Sequence, residues 1–164
     1  MSLFNMCQWI QGTSMSVAIR ESIWIYPILD VLHCVGILLV AGTIVIVDLR
    51  LLGFGMRRAP VSSVLGQVLP WTRSGFVFML LTGSLIAWSE PLKLYKSPFF
   101  RVKLAFLTLA GLNALFFHYS VSRGIGAWDS ASLTPARARL AAVISIVCWI
   151  CVIAAGRAIG YETS

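Results

Sequence analysis

Four long apolar runs, each bounded by basic residues, prolines or glycines, constrain this chain more than any other feature. The first extends from about Ile23 to Val47 and is interrupted only by Asp30 and His33. The second lies between Arg73 and Glu90, the third between Lys103 and Arg123 with His118 inside it, and the fourth between Arg139 and Arg157. About 20 residues of helix cross the roughly 30 Å of hydrocarbon in a bilayer. Backbone polar groups in lipid must be satisfied internally, which leaves helices or closed barrels, and runs of this length in 164 residues leave helices. The prediction is an all-α integral membrane four-helix bundle, a single membrane domain over residues 1–164 with spans over about 23–49, 70–89, 98–122 and 135–159.

Composition supports this. Apolar residues make up 59% of the chain and charged residues 12%, against about 45–50% and about 25% in soluble domains. A soluble enzyme, a disordered tail and a disulfide scaffold are excluded. The net charge of +7 is assigned to loops that set orientation and touch anionic lipid, so no nucleic-acid partner is expected. Three of the four cysteines, Cys34, Cys148 and Cys151, fall inside apolar runs and read as small hydrophobes. Cys148-x-x-Cys151 lacks the βαβ context of a redox motif. No Lys or Arg precedes Arg20 to form the basic region of a secretory signal, and no P-loop, GxSxG or HExxH signature occurs.

Local punctuation places the helix ends. Ser97-Pro98 and Thr134-Pro135 each set a capping hydroxyl before a proline and mark the starts of the third and fourth spans. Pro70-Trp71 opens the second span and Glu90-Pro91 closes it. Gly124 and Gly126 end the third span and Gly160 the fourth, while Pro27 marks a start or kink in the first. Residues 1–20 carry apolar positions at helical spacing and are predicted to form a short amphipathic helix in the membrane interface, with a second such piece over Val61 to Leu69. Seven Lys and Arg residues flank the first and third loops and six the opposite side, which places both termini outside the cytoplasm.

An ionisable side chain at membrane depth is expensive and marks function by default. The candidates are Asp30, His33, Lys103, His118 and Arg157. At a rise of 1.5 Å per residue, His33, Lys103 and Arg157 fall at a shared depth in the outer leaflet, with Asp30 one turn from His33. His118 lies deeper by roughly 13 Å than His33 on the same arithmetic. Between Lys103 and His118 a stripe of Ala110, Gly111 and Ala114 permits close helix contact or leaves room for a flat cofactor. Bundles build cofactor sites from inward side chains, and haem iron takes axial histidine most often. His33 is the expected metal ligand to haem b. Lys103 is a candidate partner ligand or a snorkelling interfacial lysine, Arg157 a partner for a propionate or for Asp30, and His118 a second haem ligand, a quinone contact or a core histidine. A core His33 hydrogen-bonded to Asp30 is the alternative without a cofactor.

The run Leu32-His33-Cys34-Val35-Gly36, then Gly42 and Asp48-Leu49-Arg50-Leu51-Leu52-Gly53, then Arg101-Val102-Lys103-Leu104 and Gly111-Leu112-Asn113, resembles an uncharacterised family of small bacterial inner-membrane proteins, a domain of unknown function. The likeness extends to Trp128-Asp129 and Ala155-Gly156-Arg157. More distantly, Leu-His in the first span and Lys-Leu in the third resemble the haem-binding protoporphyrinogen oxidase family and the membrane domain of the copper-resistance D family. The oxidase resemblance implies haem binding and activity at His33 and Lys103. The chain departs from it in carrying a histidine fifteen residues after the lysine.

The expected function is a b-type haem protein of the bacterial inner membrane passing electrons between a redox partner and the quinone pool. Partners would be the lipid bilayer and other membrane or periplasmic redox subunits, or further copies of the chain. A porphyrinogen-oxidase-like enzyme and a cofactor-free anchor or assembly subunit are the alternatives.

Overall fold

The computed structural model describes residues 2–56, 58–129 and 134–162, and contains no strand among them. Arg57, one of the basic residues counted in the first loop, lies outside the described residues. Two short helices, α1 (Leu3–Gln11) and α2 (Ser14–Glu21), precede α3 (Ile25–Leu52) and α4 (Val61–Ser89). A one-turn helix, α5 (Pro91–Lys96), leads into α6 (Pro98–Phe116), and α7 (Ala136–Tyr161) closes the chain. Four helices are long and apolar enough to cross a membrane: Ile25–Leu52, Val61–Ser89, Pro98–Ser120 and Ala136–Tyr161. The protein is an all-α, multi-pass membrane protein of four-helix-bundle type.

Several boundaries differ from the sequence expectation, each for a local reason. The single amphipathic helix predicted over 1–20 is two helices, because Gly12 ends α1 and the Thr13 hydroxyl accepts from the Ser16 N–H at 3.4 Å to start α2. The separate piece over Val61 to Leu69 is the first part of α4, and Pro70 lies inside that helix rather than opening it. Proline removes one helical hydrogen bond and crowds the carbonyl four residues back; here that residue is Gly66, whose surroundings are open. Nearby hydroxyls add local bonds, with Thr72 donating to the Val68 carbonyl and Ser74 to that of Pro70. Ser97 does cap α6, accepting from the Phe100 N–H at 3.2 Å. At α7, however, Pro135 itself is the cap residue and Thr134 makes no capping bond. The third span leaves regular α-helix at Phe116, ahead of the predicted end, and continues as a π turn (Phe117–Val121) and a 3₁₀ segment (Ser122–Ala127). Helix α7 runs one residue past Gly160 to Tyr161.

The spanning helices pack in the order α4, α3, α7, α6. Along the α3–α4 seam, side chains are small where the backbones meet: a Cβ on Gly36 would stand 3.2 Å from the Met79 Cα, and one on Gly75 3.0 Å from Leu39. Close approach over small residues is how helices associate where lipid removes the hydrophobic drive between them. The Thr72 and Thr43 hydroxyls also meet across the seam, 2.9 Å apart. The α6–α7 seam is tied by Asn113 Nδ2, which donates to the Ala141 carbonyl at 2.9 Å. A cluster of Val40, Ala41, Trp149 and Val152, with Phe106 and Leu107 against it, joins α3, α7 and α6 at mid-height. A second cluster of Leu51, Val61, Ala138 and Ala142 closes the far end. α1, α2, α5 and the end of α7 lie at the opposite end, where α3 begins and α4 stops. There Ser16 donates to the Ser89 carbonyl at 3.0 Å and Trp88 Nε1 to the Thr13 hydroxyl at 3.3 Å, fastening the two N-terminal helices to α4.

Candidate functional site

His33 sits two turns into α3, half-buried against α4. Its Nδ1 lies 3.1 Å from the Thr82 hydroxyl. That hydroxyl has one proton, and the Phe78 carbonyl at 2.9 Å and the Met79 carbonyl at 3.2 Å compete for it. A helical threonine gives its proton to the turn behind it. The imidazole is therefore the donor, Nδ1 carries the hydrogen, and Nε2 is left with its lone pair. The Met79 backbone lies beside the ring as well. Gly83 makes room for the ring: a Cβ there would stand 2.9 Å from His33 Cε1. Among the described residues no hydrogen bond reaches Nε2.

Lys103 enters the same leaflet from α6. Its ammonium passes over α7 at Gly156, where a Cβ would lie 3.4 Å from Nζ. It is half-buried and lies within electrostatic range of His33, Asp30 and Cys34 on α3. No ion pair between Asp30 and Lys103 closes to 4.0 Å among the described residues, and Asp30 is exposed. The structure thus brings His33 and Lys103 to one level between α3, α4, α6 and α7, with the exposed Asp30 within electrostatic range of both.

The other two candidates stand apart. Arg157 is exposed, with its NH2 3.4 Å from the Tyr161 hydroxyl and its guanidinium 5.4 Å above that ring. His118 belongs to the π turn near the far end, exposed, with its ring edge-on to Tyr119 at 5.1 Å. In the stripe between Lys103 and His118 only Ala110 is buried; Gly111 faces open space.

A protein-family model described as a family of unknown function (DUF6644) matches residues 9–162. The chain belongs to that family. No curated protein and no solved structure matches it.

Two residues that complete the His33 environment were not singled out from the sequence, Thr82 and Gly83; Gly156, noted only as part of the family resemblance, proves to be the point where Lys103 crosses α7. A Thr-Gly pair inside an apolar run was a usable signal, because it sets a hydroxyl beside a gap. Another polar pair, noted from the sequence only at the exit of the first span, proves to be enclosed. Asp48 and Arg50 are both buried near the far end of α3. Asp48 lies beside Ser145, and Arg50 Nε donates to the Ala59 carbonyl at 2.8 Å. Among the described residues one oxygen of Asp48 and one nitrogen of Arg50 have no hydrogen-bond partner.

Proposed function

We propose that this member of the family is a b-type haem protein of the bacterial inner membrane that passes electrons between a redox partner and the quinone pool, as part of a larger assembly or a homo-oligomer. The observation that carries the reading is the fixed tautomer of His33. Metal-binding histidines characteristically donate their other ring N–H to an oxygen that orients the ring, and Thr82 does this for His33. Iron in a porphyrin needs only one or two ligands from the protein, so one oriented imidazole fits the group. A porphyrin iron bound there would supply one-electron redox chemistry within the low-dielectric span.

The chain's own contributions are separate from that chemistry. His33 Nε2 would hold the iron, while Thr82 and Gly83 position the ring. Lys103 places an amine in the same leaflet, suited to a second ligand or to a charge that offsets an anionic group. Asp30 supplies an acceptor on the exposed side. Helix α1 and the end of α7 lie at the His33 end, and the proposed orientation puts that end outside the cytoplasm, where a periplasmic redox partner would dock; this is the orientation favoured by the basic loop residues.

Purified protein, expressed with ample haem, should show a Soret band that His33→Ala abolishes and His118→Ala leaves in place. Colourless wild-type protein overturns the proposal. A second reading, a porphyrinogen-oxidase-like enzyme, draws on the proximity of His33 and Lys103. It requires membranes carrying this protein alone to oxidise a reduced tetrapyrrole, with loss of turnover in Lys103→Met. Colourless protein that copurifies with a larger complex would instead indicate a cofactor-free assembly subunit.

A further inference from the structure

At the end of the bundle that carries α1, α2 and the end of α7, a cavity of about 510 Å³ opens between segments far apart in sequence. Gln11 of α1, Arg20 of α2, Glu90, Lys93 and Lys96 around α5, and Glu162 after α7 all line it. Glu90 is seven residues beyond Gly83, so the cavity lies roughly 10 Å farther along α4 than the His33 ring, at a rise of 1.5 Å per residue. It is separate from the proposed haem ligand.

The walls are held together by bonds between the segments. Arg20 NH1 donates to the Ser89 carbonyl at 3.3 Å, the Leu92 N–H donates to Gln11 Oε1 at 3.4 Å, and Tyr26 donates to Glu90 Oε2 at 3.2 Å. The same Glu90 oxygen lies 3.7 Å from Lys93 Nζ. Glu90 is thereby compensated. Among the described residues Lys96 and Glu162 form no ion pair, which leaves one unengaged cation and one unengaged carboxyl group lining the same space. On the N-terminal helices and the turn into α3, Trp9, Ile23 and Trp24 stand largely exposed, as side chains at a membrane–water boundary do.

We propose that this cavity binds the headgroup of a zwitterionic aminophospholipid, with the phosphate on Lys96, Lys93 and Arg20 and the ammonium on Glu162. A purely anionic headgroup would use the cations and meet Glu162 with a like charge; a headgroup carrying both charges uses both sets. The position at the boundary lets acyl chains lie along the apolar outer faces of the spans while the polar end fills the cavity.

The test is native mass spectrometry of the full-length protein released from detergent in the presence of phosphatidylethanolamine or phosphatidylglycerol at equal concentration. The readout does not depend on haem, so its failure is distinct from failure of the haem proposal. Retention of phosphatidylethanolamine over phosphatidylglycerol is expected. A charge-assisted hydrogen bond is typically worth enough to change binding about tenfold, so Lys96→Gln should reduce retention of both lipids by about that factor. Glu162→Gln should erase the preference for the aminolipid while leaving phosphatidylglycerol bound. Neither substitution removes a bond that holds the helices together, so both variants should fold. Equal or stronger retention of phosphatidylglycerol by the wild type, unchanged retention in both variants, or no retained lipid would overturn the proposal. Displacement of the lipid by equimolar inorganic phosphate would do so too, by showing a simple anion site.

Discussion

The two ends of the α3–α4 hairpin treat polar side chains in opposite ways. At the far end, Asp48 and Arg50 are enclosed: Arg50 is 2% exposed, Leu51 and Val61 pack beside it, and the loop carbonyl of Ala59 takes its Nε–H. Asp129 reaches across from the loop after α6 and caps α4, accepting from the Ser62 N–H at 2.7 Å and from the Ser62 hydroxyl. At the near end, among the described residues, His33 is hydrogen-bonded at one ring nitrogen and Asp30 and Lys103 form no ion pair. The first arrangement ties a loop to a helix through Arg50 Nε and encloses one oxygen of Asp48 and one nitrogen of Arg50 with no partner among the described residues. The second leaves a lone pair, an amine and a carboxyl group without an ion pair.

Replacing Arg50 by alanine tests the far end and should have the largest effect. Removing a fully enclosed large side chain leaves a cavity and costs about 3 kcal/mol, read as a lower unfolding midpoint in detergent, with the His33 ring signals unchanged. A shift of those signals would mean that the two ends are coupled. At the near end, Gly83→Ala places a methyl where the ring now lies and should cost about 1–2 kcal/mol from overpacking. It should also move the His33 ring resonances and reduce haem retention. Thr82→Val, nearly the same shape without the acceptor, should leave stability almost unchanged yet weaken haem binding by about 10-fold to 100-fold, the usual effect of losing an orienting partner. If both near-end variants bind haem as the wild type does, Thr82 does not orient a ligand.

The smallest effect concerns the Asp129 cap. Hydrogen bonds from Ser62 hold its carboxyl below the usual carboxylate range. A depressed value in the folded state means that the carboxylate stabilises the fold above its unfolded pKa, and that this contribution fades as pH falls through the folded one. The unfolding midpoint should therefore decline on acidification below about pH 4, and Asp129→Asn should flatten that decline. An unaltered pH profile in the variant would remove the cap from the account.

Much of this architecture was legible in the residues. The four spans follow from apolar run length, and Ser97-Pro98 marks the start of α6 because a hydroxyl cap and a proline at the first helical position act locally. Pro70 misled because a proline within an apolar run reads as a helix start, whereas α4 begins at Val61 and continues through it. His33, Asp30 and Lys103 could be brought to one level by counting helical rise. Rise cannot tell which way a side chain turns around its helix, so Arg157, correct in height, points to Tyr161 instead. Thr82 and Gly156 matter through packing across helices, and that information resides in the pairing order α4, α3, α7, α6 rather than in any single segment.

That order also bears on how the chain is made. Each strong seam joins neighbours in sequence, α3 with α4 and α6 with α7, so the first hairpin is complete before the ribosome has produced the second. Contacts local in sequence form fastest, and spanning helices insert before they associate. Biogenesis thus reduces to releasing two hairpins into the bilayer and docking them once, through α3 and α7, with the short α5 as the tether. The neighbourhood of His33 and Lys103 comes into being only at that last step, because its residues are divided between the two halves.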